Sequence, residues 1–360
     1  MIAIDTIETE VPRPRFAGAL RTALRAATVA VTVASATAPA PAAEPGASAV
    51  VMMYHRFGEK TLPSTNISIA KFEAHIAELQ SGGYKVLGLS EIVDAVRTGK
   101  TLPDRAVGIS IDDGYLSIYA EAWPRLKKAG FPFTVFVATD PIDQKLGNYM
   151  SWDQIKEMAA AGVTIGGHTV SHLHMPAHDA ARNVDEIRRS NKRLAEMLGK
   201  APEIFAYPYG ESSLAVQKLM RESGYVAAFG QHSGVIGGDG NLFDLPRFAM
   251  NETYGELSRF KLAANALPLP VTDVTPADPL VGAVNPPAMG FTVADGIKGL
   301  DRLSCFVSHE GRARLERLGE RRFEARVTTA FPRGRTRLNC TMPAGDGRWR
   351  WFGRQFYIPE

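Results

Sequence analysis

The chain has 360 residues, of which 45% are hydrophobic and 22% are charged, and its formal net charge at pH 7 is +3. This composition is typical of a folded globular protein with a large core, and it excludes an intrinsically disordered chain. The small net charge gives no support for a nucleic-acid-binding protein, although residues 311–360 hold 12 Arg against 5 Asp and Glu. That basic stretch predicts either a solvated face or a contact with an anionic surface or polymer.

The first 43 residues have the pattern of a signal peptide. Arg13, Arg15, Arg21 and Arg25 precede the apolar stretch AATVAVTVASATA and the small-residue stretch APAPAAE. The apolar stretch is short and rich in Thr and Ser for a transmembrane helix, and no similar stretch follows it. We therefore expect cleavage near Ala43 and export to the periplasm or the medium, without an integral membrane domain. The alternatives are an uncleaved anchor and a wrongly chosen start codon.

Residues 44–267 alternate short apolar runs with amphipathic stretches, which is typical of an α/β fold. The predicted strands are AVVMMYH, AVGISIDD, FPFTVFVAT, VTIGGHT, EIFAYPYG, YVAAFG and LPRFAM, and the predicted helices span 69–81, 117–129, 151–161, 180–198 and 213–223. Ser151 and Gln154 have the spacing of a capping box. The charged side chains of the 180–198 helix are expected to form a solvated face.

Two adjacent carboxylates, Asp112 and Asp113, end the second predicted strand. If the strand continued through them, they would point to opposite sides and serve two different partners. Because Gly114 follows, an ordinary solvated turn explains the same three residues. The stretch alone therefore does not decide between a site and a turn.

Two histidines, His168 and His172, follow the fourth predicted strand in the stretch HTVSH. In a helical turn this spacing places both imidazoles on one face, where they can bind the same ion. A capped helix start explains the stretch equally well. Together with Asp113, however, the pair offers three protein ligands and leaves a position for water, which is typical of a catalytic metal site.

A third polar stretch, FAYPYG at residues 205–210, also lies at the end of a predicted strand. Barrel enzymes assemble their sites at the C-terminal ends of parallel strands. Three stretches that are distant in sequence are thus expected at one edge of one sheet, which favours a site over a turn at Asp112.

Residues 268–289 carry six prolines and are predicted to be a linker or an extended crossover. Beyond them, short strand-like runs separated by Gly and Pro predict a small β-rich domain at 290–360. Its Cys305 and Cys340 suggest one disulfide in an exported protein, and two buried free thiols are the alternative.

The three stretches, in this order, resemble the polysaccharide deacetylases of the NodB-homology group, which are metal-dependent carbohydrate esterases. The family's Thr-Phe-Asp-Asp-Gly motif stands here as SIDDG, and its His-Thr/Ser-x-x-His motif stands here intact as HTVSH. The resemblance covers roughly residues 49–265. It implies a distorted (β/α) barrel of about seven parallel strands, followed here by the β-rich domain.

The resemblance also implies a reaction, the hydrolysis of N-acetyl groups from an amino-sugar polymer. Asp113, His168 and His172 would hold one divalent metal ion, and Asp112 would act as the general base. The backbone N–H of Tyr209 would stabilise the oxyanion. The expected ion is Zn²⁺, with Co²⁺, Ni²⁺ or Mn²⁺ as alternatives for such a ligand set.

The sequence departs from two of the family's later motifs. Many members read Arg-Pro-Pro-Tyr in the third motif, where this chain has Ala206 and Tyr207 in the first two places, so Arg247 becomes a candidate to position Asp112. The late Leu-His motif that supplies the general acid is not evident, and His55 is the candidate for that role or for a substrate contact. The early Tyr-His pair and AYPYG resemble the branch that acts on poly-N-acetylglucosamine.

The predicted substrate-side residues are Tyr115, Trp152, Tyr207, Pro208, Tyr209 and Arg247. For Trp152, packing of a helix start onto the barrel is the alternative. Three functions stay open: an exported glycan deacetylase, a non-catalytic glycan-binding protein on the same fold, and a metallohydrolase that acts on a small amide or peptide. The sequence predicts an N-acetylglucosamine-containing polysaccharide as partner and does not predict an oligomeric state.

Overall fold

The structure is a computed structural model that describes residues 48–237 and 240–359. The predicted signal peptide at 1–43 lies outside the described residues and stays a prediction. Within the described ranges, no helix combines the length and the apolar character that crossing a membrane requires.

The first part of the described chain alternates strands and helices. Its strands are β1 Ala49–Tyr54, β2 Arg56–Phe57, β3 Asn66–Ile67, β4 Lys85–Leu87, β5 Ala106–Ile111, β6 Thr134–Val137, β7 Thr164–Gly167, β8 Ile204–Ala206, β9 Ala227–Phe229 and β10 Phe248–Ala249. Its helices are α1 Ile69–Ser81, α2 Leu89–Thr98, α3 Trp123–Ala129, α4 Thr139–Asp143, α5 Trp152–Ala160, α6 Ala180–Leu198, α7 Leu214–Glu222 and α8 Leu257–Ala264. A short π-helix at Ile118–Ala122 precedes α3, and short 3₁₀-helices cover Met175–Ala177 and Pro208–Gly210.

Seven of these strands form a curled parallel sheet in the order β10-β1-β5-β6-β7-β8-β9, and β4 adds a short strand beside β5. Every residue of β1 and β5 is buried, because helices cover the outer face and the core fills the inner face. The prediction of a distorted barrel of about seven parallel strands is confirmed. The capping box of Ser151 and Gln154 at the start of α5 is also present.

Helix α2 was not predicted, although its apolar residues have helical spacing. Leu89, Ile92, Val93 and Val96 fall on one face and are buried against the sheet. Between residues 85 and 106, where no helix was predicted, the chain therefore forms a helix that packs against the barrel sheet.

The C-terminal region is rich in β-strands, as predicted. Its strands are β11 Leu267–Pro268, β12 Val271–Thr275, β13 Met289–Val293, β14 Ser304–Val307, β15 Gly311–Arg312, β16 Arg314–Arg317, β17 Arg322–Arg326, β18 Gly334–Pro343 and β19 Trp349–Ile358, with a 3₁₀ turn at Leu300–Arg302. One sheet has the order β11-β19-β18-β14-β15 and a second has the order β12-β13-β17-β16. Part of the predicted linker at 268–289 is thus strand β12, which pairs antiparallel with β13. The domain boundaries themselves stay a prediction.

Cys305 and Cys340 are joined in a disulfide, so the disulfide suggested by the sequence is confirmed and the free-thiol alternative is wrong. The two residues face each other on the antiparallel pair β14 and β18. Both are fully buried in the core between the C-terminal sheets.

A buried histidine in α1 makes the stability of the barrel depend on pH. His75 is 1% exposed, its Nε2 donates to the Gly255 carbonyl at 2.8 Å, and its Nδ1 accepts from the Tyr54 hydroxyl at 3.0 Å. Burial lowers the pKa of His75 from 6.5 to about 4. The folded protein therefore keeps this imidazole neutral at a pH where the unfolded chain has protonated it.

Above pH 6.5 we expect the titration of His75 to leave the free energy of unfolding unchanged. As the pH falls from 6.5 toward 4, we expect the free energy of unfolding to decrease, because the unfolded chain binds a proton at His75 that the folded protein does not. The loss is about 1.4 kcal/mol per pH unit, or roughly 3 kcal/mol over the window. Urea unfolding at several pH values, for the wild type and for His75→Leu, measures it. The variant is expected to be less stable at pH 7 but to have a shallower pH dependence. Equal slopes for the two proteins would contradict the assignment.

Candidate active site

The two adjacent carboxylates diverge because the backbone leaves the strand between them. Strand β5 ends at Ile111, and the Asp112 N–H still bonds to the Tyr54 carbonyl at 2.9 Å. Asp113 then has φ 78° and Gly114 has φ 86°, both in the left-handed region. A non-glycine residue held there is strained, and such strain is concentrated at functional sites. The two side chains thus reach different partners, as the sequence predicted, but through a turn and not through a continued strand.

Asp112 is fully buried and is held by Arg247. The guanidinium donates from Nη1 to Oδ1 at 2.7 Å and from Nη2 to Oδ2 at 2.8 Å. Burial of the carboxyl opposes ionisation, but the charges of Arg247, His55 and His168 and the bonds from Arg247 together outweigh it, so the pKa of Asp112 lies below its usual range. Asp112 is therefore ionised at neutral pH and fixed in orientation. The structure brings together Arg247 and Asp112, as the departure from the third motif had led us to expect.

His55 follows β1 and lies beside the same carboxylate. Its Nε2 is 3.8 Å from Asp112 Oδ2, and its side chain is 13% exposed. Burial lowers the pKa of His55, although the charges of Asp113 and Asp112 oppose that effect. The imidazole is thus mostly buried beside two carboxylates, with part of its surface open to solvent.

Asp113, His168 and His172 form the second cluster of the site. Asp113 Oδ1 lies 3.2 Å from His168 Nε2 and 3.2 Å from His172 Nε2. All the candidate ligand atoms lie within 4.8 Å of one another. Burial opposes ionisation of Asp113, but the contacts with His168 and His172 and the charges of the neighbouring imidazoles together outweigh it and hold the pKa of Asp113 well below the usual range. The predicted ligand set is therefore assembled from two strand ends that are distant in sequence.

The tautomer of His168 fits a cation at this cluster. Its Nδ1 lies 2.6 Å from the Ala206 carbonyl, which can only accept, so Nδ1 carries the proton. In the neutral ring Nε2 then presents a lone pair toward Asp113 Oδ1, which is also an acceptor. Two acceptors at 3.2 Å need a cation or a further proton between them. A backbone carbonyl that fixes the tautomer in this way is the usual outer partner of a metal-bound histidine.

The HTVSH stretch forms an irregular loop, so the prediction of a helical turn is wrong. Thr169 has φ 65° and His172 has φ 56°, and both values are excluded from an α-helix. The loop is held by Glu186 of α6, whose carboxylate accepts from the N–H groups of Val170 and Ser171 at 3.0 and 2.9 Å. The spacing of four residues brings the two imidazoles together through this anchored loop.

Glu186 is a residue that the sequence reading missed. It is fully buried, whereas the charges of its helix were expected to form a solvated face. Its position was detectable, because Asn183, Ile187, Ser190 and Leu194 lie with it on the buried face at helical spacing.

Tyr209 follows β8 and forms one wall of the site. It has φ 58°, and its ring lies edge-on to His172 with 4.4 Å between ring centroids. On its other side the ring stacks on His174 at 4.1 Å, and His174 Nδ1 lies 2.7 Å from a carboxylate oxygen of buried Glu211. Glu211 was not predicted, since nothing near it in the sequence marks a buried carboxylate.

The remaining predicted substrate-side residues divide into two groups. Tyr115 lies near the site: burial and then the charge of Asp113 raise the pKa of its hydroxyl. The Arg56 guanidinium lies 3.4 Å from the centre of the Tyr115 ring. Tyr115 is thus placed where the sequence expected it, although its ring is largely covered.

Tyr207, Pro208 and Trp152 are not placed for substrate contact. Tyr207 is fully buried, and its hydroxyl donates to the Phe243 carbonyl at 2.9 Å. Pro208 is buried as well, so the prediction of these two as substrate contacts is wrong. Trp152 packs in the barrel core at the start of α5 and donates from Nε1 to Asp143, which favours the helix-start alternative.

Comparisons with known proteins agree with this geometry. A model of the polysaccharide deacetylase family matches residues 99–228. A putative polysaccharide deacetylase of Bacillus subtilis, YxkH, is 29% identical over 201 residues, which are 56% of this chain and 71% of that protein. The poly-β-1,6-N-acetyl-D-glucosamine N-deacetylase of Staphylococcus aureus is 25% identical over 237 residues, covering 57% of this chain and 79% of that protein. Among solved structures, IcaB from Ammonifex degensii has a TM-score of 0.54 and 27% identity, and the match covers 61% of this chain and 98% of that chain.

Proposed function

We propose that this chain, whose residues 99–228 match the polysaccharide deacetylase family, removes N-acetyl groups from a polymer of N-acetylglucosamine and releases acetate. The observation that carries this proposal is the arrangement of two buried carboxylates. Asp112 is fixed by Arg247, while its neighbour Asp113 faces two histidines 3.2 Å away. The similarity to the Staphylococcus aureus enzyme named for poly-β-1,6-N-acetyl-D-glucosamine supports that polymer as the substrate.

The residues that would hold a divalent metal ion are Asp113, His168 and His172. When bound, the ion supplies a Lewis acid that lowers the pKa of water toward neutrality and polarises a carbonyl oxygen. Zn²⁺ suits a His₂Asp ligand set, and Co²⁺, Ni²⁺ and Mn²⁺ are the alternatives. The contribution of the chain is to fix the imidazoles, through the Ala206 carbonyl for His168 and through the Glu186 loop for His172.

Asp112 and His55 would move the protons of the reaction. Asp112 is ionised and is oriented by two bonds from Arg247, so its Oδ2 is ready to accept the proton of the attacking water. His55 Nε2 lies 3.8 Å from that oxygen, so the proton that Asp112 takes from the water would pass to His55, and His55 would deliver it to the sugar nitrogen as the amide bond breaks. The balance is one water consumed, one amine formed and one acetate released.

The Tyr209 peptide would stabilise the oxyanion. The Tyr209 N–H makes no hydrogen bond to another described residue, so it is available for a ligand. Because the residue is held in the left-handed region, the direction of this N–H is fixed before substrate arrives. A preorganised donor of this kind is worth about 10²- to 10³-fold in rate.

The alternative of a non-catalytic glycan-binding protein rested on a missing arginine and an uncertain acid. Arg247 now occupies the position beside Asp112 that the third motif leaves open, which supports the enzyme. Export of the mature protein and a polysaccharide partner are parts of this proposal.

Acetate release from β-1,6-linked N-acetylglucosamine oligomers, by the mature protein with Zn²⁺, tests the proposal. Small N-acetyl amides and acetylated peptides serve as controls for the third function. We expect release from the oligomers and little from the small amides. Binding of the oligomers without acetate release would support the binding protein, and release from small amides alone would support the amide hydrolase.

A further inference from the structure

The C-terminal hairpin of β18 and β19 reaches the wall of the candidate active site. In its register Arg335 faces Tyr357 and Arg337 faces Gln355. Because side chains alternate along a strand, these four residues share one face of the hairpin. That face contacts the barrel at Tyr209, far from the hairpin in sequence.

Two side chains of the hairpin bind the backbone of Tyr209. Gln355 Nε2 donates to the Tyr209 carbonyl at 3.0 Å, and Arg335 Nη1 lies 3.4 Å from the same oxygen. The Arg335 guanidinium also lies 5.4 Å from the centre of the Tyr209 ring, and its Nε is 3.7 Å from a carboxylate oxygen of Glu211. Tyr209 is thus contacted by the hairpin at its carbonyl and at its ring.

These contacts fall on a backbone conformation that needs support. The φ of 58° at Tyr209 is unfavourable for a non-glycine residue, so surrounding groups must hold it. A bond to the carbonyl restricts rotation about the Cα–C bond of Tyr209. The stacked His174 restricts the ring, so Tyr209 is held both at its carbonyl and at its ring.

Gln355 is poorly suited to a role in stability alone. It is 5% exposed, and its Oε1 is buried without a hydrogen-bond partner among the described residues. An apolar side chain of the same length would avoid that unpaired acceptor. The presence of an amide at this position is therefore explained by its hydrogen bond to the Tyr209 carbonyl.

We propose that the C-terminal hairpin is part of the catalytic apparatus, with Gln355 and Arg335 as positioning residues that hold Tyr209 in its left-handed conformation. The expected effect on the rate rests on the proposed function, in which the Tyr209 N–H is the oxyanion donor. The expected effect on the conformation of Tyr209 is independent of that function. It gives the β-rich region a role in the reaction.

The test is Gln355→Met, which keeps length and removes the donor, compared with Thr336→Val. Thr336 is a matched control: it lies on the same hairpin, it is 1% exposed, and its hydroxyl has no partner among the described residues. It faces the other side of the sheet, opposite Phe356. We expect Gln355→Met to lower kcat for acetate release about tenfold with KM and melting temperature little changed, and a second variant with Arg335→Gln added to lower it further. Thr336→Val is expected to keep kcat.

A crystal structure of the double variant gives a readout that does not depend on activity. We expect the φ of Tyr209 to leave the positive region or its peptide to turn. An unchanged Tyr209 backbone, or an unchanged kcat in a folded double variant of an active protein, would overturn the inference. If the wild type itself released no acetate, the proposed function would fail, and the Tyr209 backbone would still decide whether the hairpin holds it.

Discussion

Asp112→Asn is expected to lower the rate of acetate release by about 10²- to 10⁴-fold, the usual contribution of a general base. The amide has the shape of the carboxylate but cannot accept the proton of the attacking water. It also leaves Arg247 without its anionic partner, so some loss of stability is expected alongside the loss of rate. Initial rates on the same oligomers, with folding checked by circular dichroism, measure the effect.

Asp113→Asn is the matched control for that experiment, because the same exchange is made one residue further along the chain. Asp112→Asn is expected to retain the metal, since Asp113, His168 and His172 are intact, whereas Asp113→Asn is expected to lose both metal and activity. Metal content per chain distinguishes the two. An Asp112→Asn protein that keeps more than about a tenth of the wild-type rate would rule out this residue as the base.

Arg247→Met is expected to destabilise the fold by about 3–5 kcal/mol, because it leaves Asp112 as an unpaired charge in the interior. Both side chains of the pair are 0% exposed, so solvent cannot replace the lost partner. Acetate release is expected to fall as well, since nothing else in the described structure holds both oxygens of Asp112. Urea unfolding at neutral pH measures the change in the free energy of unfolding.

The double variant Asp112→Asn with Arg247→Met separates the pair from its surroundings. Removing both charges leaves no unpaired ion, so the double variant is expected to be more stable than Arg247→Met alone. If the two single effects simply add, the bidentate contact has no coupling energy, and Arg247 would not be the residue that positions the base.

The sequence predicted the strands of the barrel and the three candidate metal ligands because those signals are local. Strands β1 and β5 are continuous apolar runs, as expected of buried parallel strands. The SIDDG and HTVSH motifs place Asp112 directly after β5 and His168 directly after β7. Asp113, His168 and His172 meet because the C-terminal ends of parallel strands share one edge of the sheet. Arg247 was identified only as a substitute for a missing motif residue, and its two bonds to Asp112 join positions 135 residues apart.

The errors have physical reasons. Tyr207 and Trp152 were predicted at the substrate because aromatic residues near strand ends often contact sugars, but both point into the interior. Glu211 carries no local signal, since its contact to His174 joins two barrel segments that are 37 residues apart. Arg335 and Gln355 carry none either, since their contacts to Tyr209 depend on how the C-terminal strands lie against the barrel. The helical turn expected at HTVSH fails because Glu186 stabilises an irregular loop there.

The most direct test of the metal-dependent site is a titration of chelated, metal-free protein with Zn²⁺, in which bound metal and acetate release are followed together. We expect no release without metal, and release that returns in proportion to bound ion and saturates at one ion per chain. Full activity in the metal-free protein, or one ion bound per chain with no return of activity, would contradict it.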